Sequence, residues 1–133
     1  MLVNKGYEVV IEPDGSLAAN LNNVPFGGVP WVYVSFGFVD GTLSQVYFHN
    51  DERRCPYKID QAYEKVKSSL DNKYHSYVIP IQTDNNSQLC YYEDPKTGVS
   101  LQTMMRGFVK FISLEYDDIY LSEKKQKNEA DEL

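Results

Sequence analysis

The chain has 133 residues, with 13 Lys and Arg against 19 Asp and Glu, a formal net charge of -6 and 42% hydrophobic residues. Such a length suits one domain of the common size of ~100–150 residues, and the apolar fraction is enough to fill its core. An aromatic content of 14%, including 11 Tyr, excludes intrinsic disorder, and the acidic balance excludes the clustered basic footprint that a nucleic-acid partner needs.

In chain order, Phe26-Gly27-Gly28-Val29-Pro30 reads as a bend that leads into a hairpin. Val32, Val34, Phe36 and Phe38 then alternate with Tyr33, Ser35 and Gly37, which predicts a strand with one apolar face. Asp40-Gly41 supplies positive φ for a tight turn, and Leu43 to His49 returns as the partner strand. The next element is helical. Ile59, Ala62, Tyr63, Val66, Leu70 and Tyr74 recur at spacings of three and four, with Lys58, Glu64, Lys65, Lys67 and Asp71 on the other face. Pro56 is expected in the first turn of this helix, with His75 and Ser76 at its exit.

Tyr77 to Gln82 is β-like but holds Pro80, so an edge strand or extended connector is expected. Asp84 to Ser87 reads as a turn, Leu89 to Glu93 as a short strand, Asp94 to Gly98 as a turn and Val99 to Met105 as the next strand. Arg106-Gly107 reverses the chain into Phe108 to Tyr116, which is apolar on both faces and so suits a central strand. Asp117 to Leu133 holds six acids and three lysines, so half the net charge lies there. Asp117 or Asp118 can cap a helix starting near Ile119, but few apolar anchors follow Leu121, which predicts a projecting end.

These elements predict an α+β domain over residues 1–118, followed by a charged C-terminal helix or tail over 119–133. Its antiparallel, twisted sheet has five to seven strands, with one amphipathic helix packed on one face. No stretch approaches the ~18 to 20 continuous apolar residues of a membrane span, and Met1 to Lys5 does not begin a signal peptide. A location in the cell envelope or periplasm would require a signal peptide already removed; otherwise the chain is expected in the cytoplasm.

Leu2-Val3-Asn4-Lys5-Gly6-Tyr7 echoes Leu70-Asp71-Asn72-Lys73-Tyr74. The second copy closes a helix, so the echo predicts a duplicated unit of helix followed by strands, with Gly6 as a helix C-cap. The chain also resembles a group of small uncharacterised bacterial cell-envelope proteins built from repeated helix-plus-strands units. The residues that carry the likeness are Leu2 to Tyr7, Asn23 to Trp31 leading into Val34 to Phe38, Leu43 to Phe48, and Tyr63 through Leu70 to Tyr74. It implies a sheet with helices on one face and brings no catalytic or binding residue with it. It also implies a strand and a full helix ahead of Leu2.

Chemistry is sparse in these residues. Cys55 follows Arg53 and Arg54 near the predicted helix start, where cationic neighbours and the helix dipole favour a thiolate. Catalysis would also need a base, and His49 and His75 are the only histidines. A Cys55–Cys90 disulfide is a further alternative. Spacings for zinc are absent, and Glu115, Asp117 and Asp118 lack the glycine-punctuated loop of a calcium site. Gly27-Gly28 and Gly37 do not form a phosphate cradle. No catalytic residue, metal or cofactor is therefore assigned. Trp31, Tyr33, Tyr47, Tyr91 and Tyr92 remain, on strands or their approaches, where rigid rings with polar tips suit contact surfaces. A non-enzymatic module binding a protein or small ligand through these residues or an exposed edge strand is the expected function. A thiol-dependent enzyme centred on Cys55 and a structural homo-oligomer are the alternatives.

Overall fold

The computed structural model describes residues 9–11, 16–74, 77–84 and 87–131. The echo segment Leu2 to Tyr7, His75 and the reversal at 85–86 lie outside the described residues. The chain folds as β1 (Val9–Ile11), β2 (Leu17–Phe26), β3 (Val29–Val39), β4 (Thr42–Asp51), α1 (Ile59–Lys73), β5 (Tyr77–Asp84), β6 (Ser87–Glu93), β7 (Thr97–Arg106), β8 (Val109–Asp118) and α2 (Ile119–Asp131). The architecture is α+β. One open antiparallel sheet runs β1-β2-β3-β4-β8-β7-β6-β5. Seven of its strands are long, the upper end of the expected range, and the eighth, β1, is a three-residue piece on the edge of β2.

Turn chemistry builds the hairpins. Asp40 and Gly41 both take positive φ, 50° and 79°, between the paired Val39 and Thr42, as a two-residue hairpin turn matched to strand twist requires. Gly27 and Gly28 do the same between Phe26 and Val29, so the expected bend is a second tight hairpin and its first arm is β2. At Asp94 the side-chain Oδ1 accepts from Lys96 N at 2.8 Å and Thr97 N at 2.7 Å, which closes the β6–β7 turn. Gly107, at φ 63°, opens the β7–β8 reversal. Phe108 therefore stands at the turn tip, 96% exposed, instead of beginning β8.

Helix α1 lies across β7 and β8 and reaches β3. It buries Ile59, Ala62, Tyr63, Val66 and Leu70 against Leu101, Val99, Ile112, Leu114, Cys90 and Tyr92 of the sheet. Each fully buried side chain of this size contributes roughly 1.5–3 kcal/mol relative to exposure. Pro56 precedes the helix, whose N-cap is Lys58 without a side-chain cap. The exit is where periodicity places it, with Tyr74 N donating to Leu70 O at 2.8 Å. At α2, Asp118 Oδ1 accepts from Leu121 N at 2.8 Å, the expected N-terminal cap. Lys124 pairs with Asp40 at 2.9 Å, tying α2 to the β3–β4 turn. No described helix is long and apolar enough to cross a membrane.

The tip of the β2–β3 hairpin leaves the sheet plane. Between the pairs Asn20↔Tyr33 and Val24↔Trp31 the register shifts, with three β2 residues opposite the single Val32. Such an irregularity bends and twists a ribbon. Phe26 comes to stack on Phe48 at 4.7 Å and meets Tyr116 edge-on at 6.0 Å, while Asn50 Nδ2 donates to Pro30 O at 2.9 Å. The hairpin thus folds in over the helix side, where Ser69 Oγ on α1 donates to Gly27 O at 3.4 Å.

Leu114 is fully buried beneath α1, whereas Leu43 is 45% exposed. Leu114→Ala is expected to cost about 3 kcal/mol in urea unfolding and Leu43→Ala under about 0.5 kcal/mol; similar losses for both would contradict this packing.

Candidate binding face

Strand pairing fixes which residues share the face opposite α1. Directly paired residues of an antiparallel ladder point the same way, and residues two apart on a strand do too. On one side lie Val34, Phe48, Leu114 and Leu101, which connect to the helix-covered core. The other carries Tyr33 and Ser35 of β3, Tyr47, His49 and Asp51 of β4, Phe111, Ser113 and Glu115 of β8, Ser100 and Met104 of β7, and Tyr91 of β6. Helix α1 packs on the first side only, and α2 is tied to the sheet at the β3–β4 turn.

A row of rings crosses the second face. Tyr33 meets Tyr47 edge-on at 6.4 Å, Tyr47 stacks with His49 at 6.4 Å, and His49 tilts against Phe111 at 5.2 Å. Arg106 continues the row, its guanidinium carbon 5.4 Å from the centre of the Phe111 ring. Tyr47, His49, Asp51, Arg106, Val109 and Phe111 line a depression of about 290 Å³ at this end of the sheet.

Electrostatics differ along the row. Burial lowers the pKa of the His49 imidazole; Asp51 opposes the shift, and Arg54 and Arg106 add to it, which favours the neutral ring. Burial alone would raise the Asp51 carboxyl. Hydrogen bonds from the Arg54 side chain and from the Arg53 and Arg54 backbone outweigh that and hold it low. At the middle of the face, burial and the neighbouring Asp117 push the Glu115 carboxyl up to about 7, against a smaller opposing effect of Gln45, whose Nε2 donates to Glu115 Oε1 at 2.9 Å. Burial likewise raises the Tyr47 phenol, partly offset by its hydrogen bond with Ser113.

The structure divides the five residues singled out from sequence. Tyr33, Tyr47 and Tyr91 are half-buried on the face away from α1, with the Tyr91 ring lying over Gly98, where any added Cβ would collide with it. Trp31 and Tyr92 are fully buried in the core. Alternation along a flat strand would place Trp31 with Tyr33, but the bent hairpin turns it inward, where Nε1 donates to Phe26 O at 2.8 Å. Tyr92 shares the core side with Cys90, and its hydroxyl donates to Asp71 on α1 at 2.5 Å. His49, Phe111 and Arg106 were missed as site residues. Strand parity was the available signal, since Phe111 and His49 each lie an even number of positions from ring-face neighbours once the β4–β8 pairing is known.

Cys55 and Cys90 are free thiols. Cys55 packs against the helix-side core, and the sheet stands between it and His49. A depression of about 490 Å³ beside Cys55 holds no histidine. Three of its charged groups are engaged, Lys110 Nζ with Asp60 at 2.6 Å and Glu52 Oε1 with Lys110 N at 3.0 Å, and Lys58 also lines it. Among the described residues no group of three His, Cys, Asp or Glu is placed to hold a metal. Comparison with protein-family models, curated proteins and solved structures found no match for this chain.

Because Glu115 titrates higher in the fold than its ordinary 4.5, its contribution to stability is complete below about pH 4.5 and is lost as pH rises through about 7. Glu115→Gln reproduces the donor and acceptor of the protonated acid. It is expected to raise the thermal midpoint by roughly 3 °C at pH 8 and to leave it unchanged at pH 4.5; equal effects at both would contradict the assignment.

Proposed function

We propose that this protein is a non-enzymatic binding module whose ligand lies on the sheet face away from α1, against Tyr33, Tyr47, His49 and Phe111. The observation that carries this reading is the continuous ring row on that side. A sheet face that needs only to be wet is ordinarily lined by charged and small polar side chains. Here aromatic rings, which lose little conformational freedom on binding and offer large contact area, end at a concavity with a few convergent polar groups. Trp31 and Tyr92 take no part in contact with the ligand, because their rings fill the core. They act by holding the hairpin and β6 in place.

The test is a fragment screen followed by nuclear magnetic resonance on the whole chain. Ring-containing fragments are expected to shift the signals of Tyr33, Tyr47, His49 and Phe111 together, and Tyr33→Ala with Tyr47→Ala to weaken binding at least tenfold while the thermal midpoint stays within a few degrees. Fragments that instead gather at α1 or beside Cys55, or whose affinity ignores both substitutions, would overturn the reading.

A further inference from the structure

The end of the ring row carries an uncompensated positive charge in an acidic protein. All three arginines of the chain are Arg53, Arg54 and Arg106, and the fold gathers them. Arg53 and Arg54 follow the end of β4, where Asp51 pairs with Phe111, and Arg106 ends β7, where it pairs with Val109 of the same strand β8. The two sides of this cluster are not alike. Arg54 is committed to Asp51, donating from Nε at 2.9 Å and Nη2 at 2.6 Å, and Asp51 Oδ1 accepts from Arg53 N at 2.9 Å and Arg54 N at 3.1 Å. That carboxylate is therefore saturated and its charge neutralised. The Arg106 guanidinium carbon lies 5.4 Å from the centre of the Phe111 ring, and the group has no carboxylate or hydrogen-bond acceptor among the described residues.

From this geometry we infer that the depression between Tyr47, His49, Phe111 and Arg106 takes a small aromatic monocarboxylate, its ring against Phe111 and His49 and its carboxylate on the Arg106 guanidinium. The inference rests on the binding-face reading above and names the ligand class for that face. Three features select the class. A guanidinium beside a ring with no acceptor of its own keeps its N–H groups free, and their planar fork matches a carboxylate bidentately. Arg106 is the one cation that lines the depression, with the only carboxylate there, Asp51, already taken by Arg54, and a single such charge suits a monoanion better than a phosphate dianion. A volume of about 290 Å³ lies at the lower limit of small-molecule sites, room for one ring and its acid group, and ring walls favour a planar partner.

His49 supplies an internal reporter. It faces Tyr47, Asp51, Arg54, Arg106, Phe111 and Ser113, and the positive field of Arg54 and Arg106 works against its protonation. An anion seated on Arg106 cancels part of that field, so His49 should become easier to protonate when the site is filled.

The experiment titrates the whole chain with benzoate, benzamide, acetate and inorganic phosphate while following the His49 and Phe111 side-chain signals. Benzoate is expected to bind saturably, at least tenfold more tightly than neutral benzamide or ringless acetate and more tightly than phosphate, and to raise the His49 pKa. Arg106→Gln should reduce benzoate to the level of benzamide and by itself raise the His49 pKa in the free protein. Equal binding of benzoate and benzamide that ignores Arg106→Gln would overturn the carboxylate assignment while the binding-face reading survives. Acetate or phosphate as tight as benzoate would overturn the aromatic acid. No ring compound shifting Tyr33, Tyr47, His49 or Phe111 would overturn both.

Discussion

The pairing of β4 with β8 is the constraint on which everything else depends. Every other strand pair joins strands adjacent in sequence, β1 to β4 in one meander and β5 to β8 in another. Among the described strand pairs, the seven aligned positions from Gln45↔Asp117 to Asp51↔Phe111 alone join the two halves of the sheet. That register decides both faces at once. It sets Phe48 on Leu114 and Val46 on Tyr116 under the helix side, and Tyr47 on Glu115, His49 on Ser113 and Asp51 on Phe111 on the opposite side. A slip of one residue would exchange the faces of one half, bury Glu115 under α1 and scatter the ring row.

The strand orders of the two halves mirror one another across the β4–β8 seam. The seam also places the residues of the candidate site. It sets Tyr47 against Glu115, an acid that ionises only near neutrality, and the rings run from there to the arginine-rich end. An acidic chain thus keeps all its arginines at the sheet end where the row stops.

Local signals made much of this fold legible and longer-range ones did not. The Asp40-Gly41 hairpin, the α1 periodicity, the Pro80 edge strand and the Asp118 cap follow from single turns or single faces, and all are present. β2 was not legible, because Ala18-Ala19-Asn20-Leu21-Asn22-Asn23 has weak strand preference and includes no alternation; it is a strand because β1 and β3 flank it. Trp31 was misplaced for a related reason, since the register shift beyond Asn20 that turns it inward leaves no mark on its own alternation with Tyr33. Tyr92 was readable, being two positions from Cys90 on one strand. The site proper needed the β4–β8 register. Phe111, His49 and Arg106 come from three strands, and nothing in the sequence specifies that β8 returns beside β4 until the whole sheet is assembled.

The most direct test of this arrangement is solvent paramagnetic relaxation of the aromatic side chains, using a soluble gadolinium chelate that reaches only exposed faces. Strong relaxation is predicted at Tyr33, Tyr47 and His49, with protection of Trp31, Tyr63 and Tyr92. Protection of Tyr47 and His49 equal to that of Tyr92 would mean that the face is covered or the β4–β8 register differs, and would contradict the binding face.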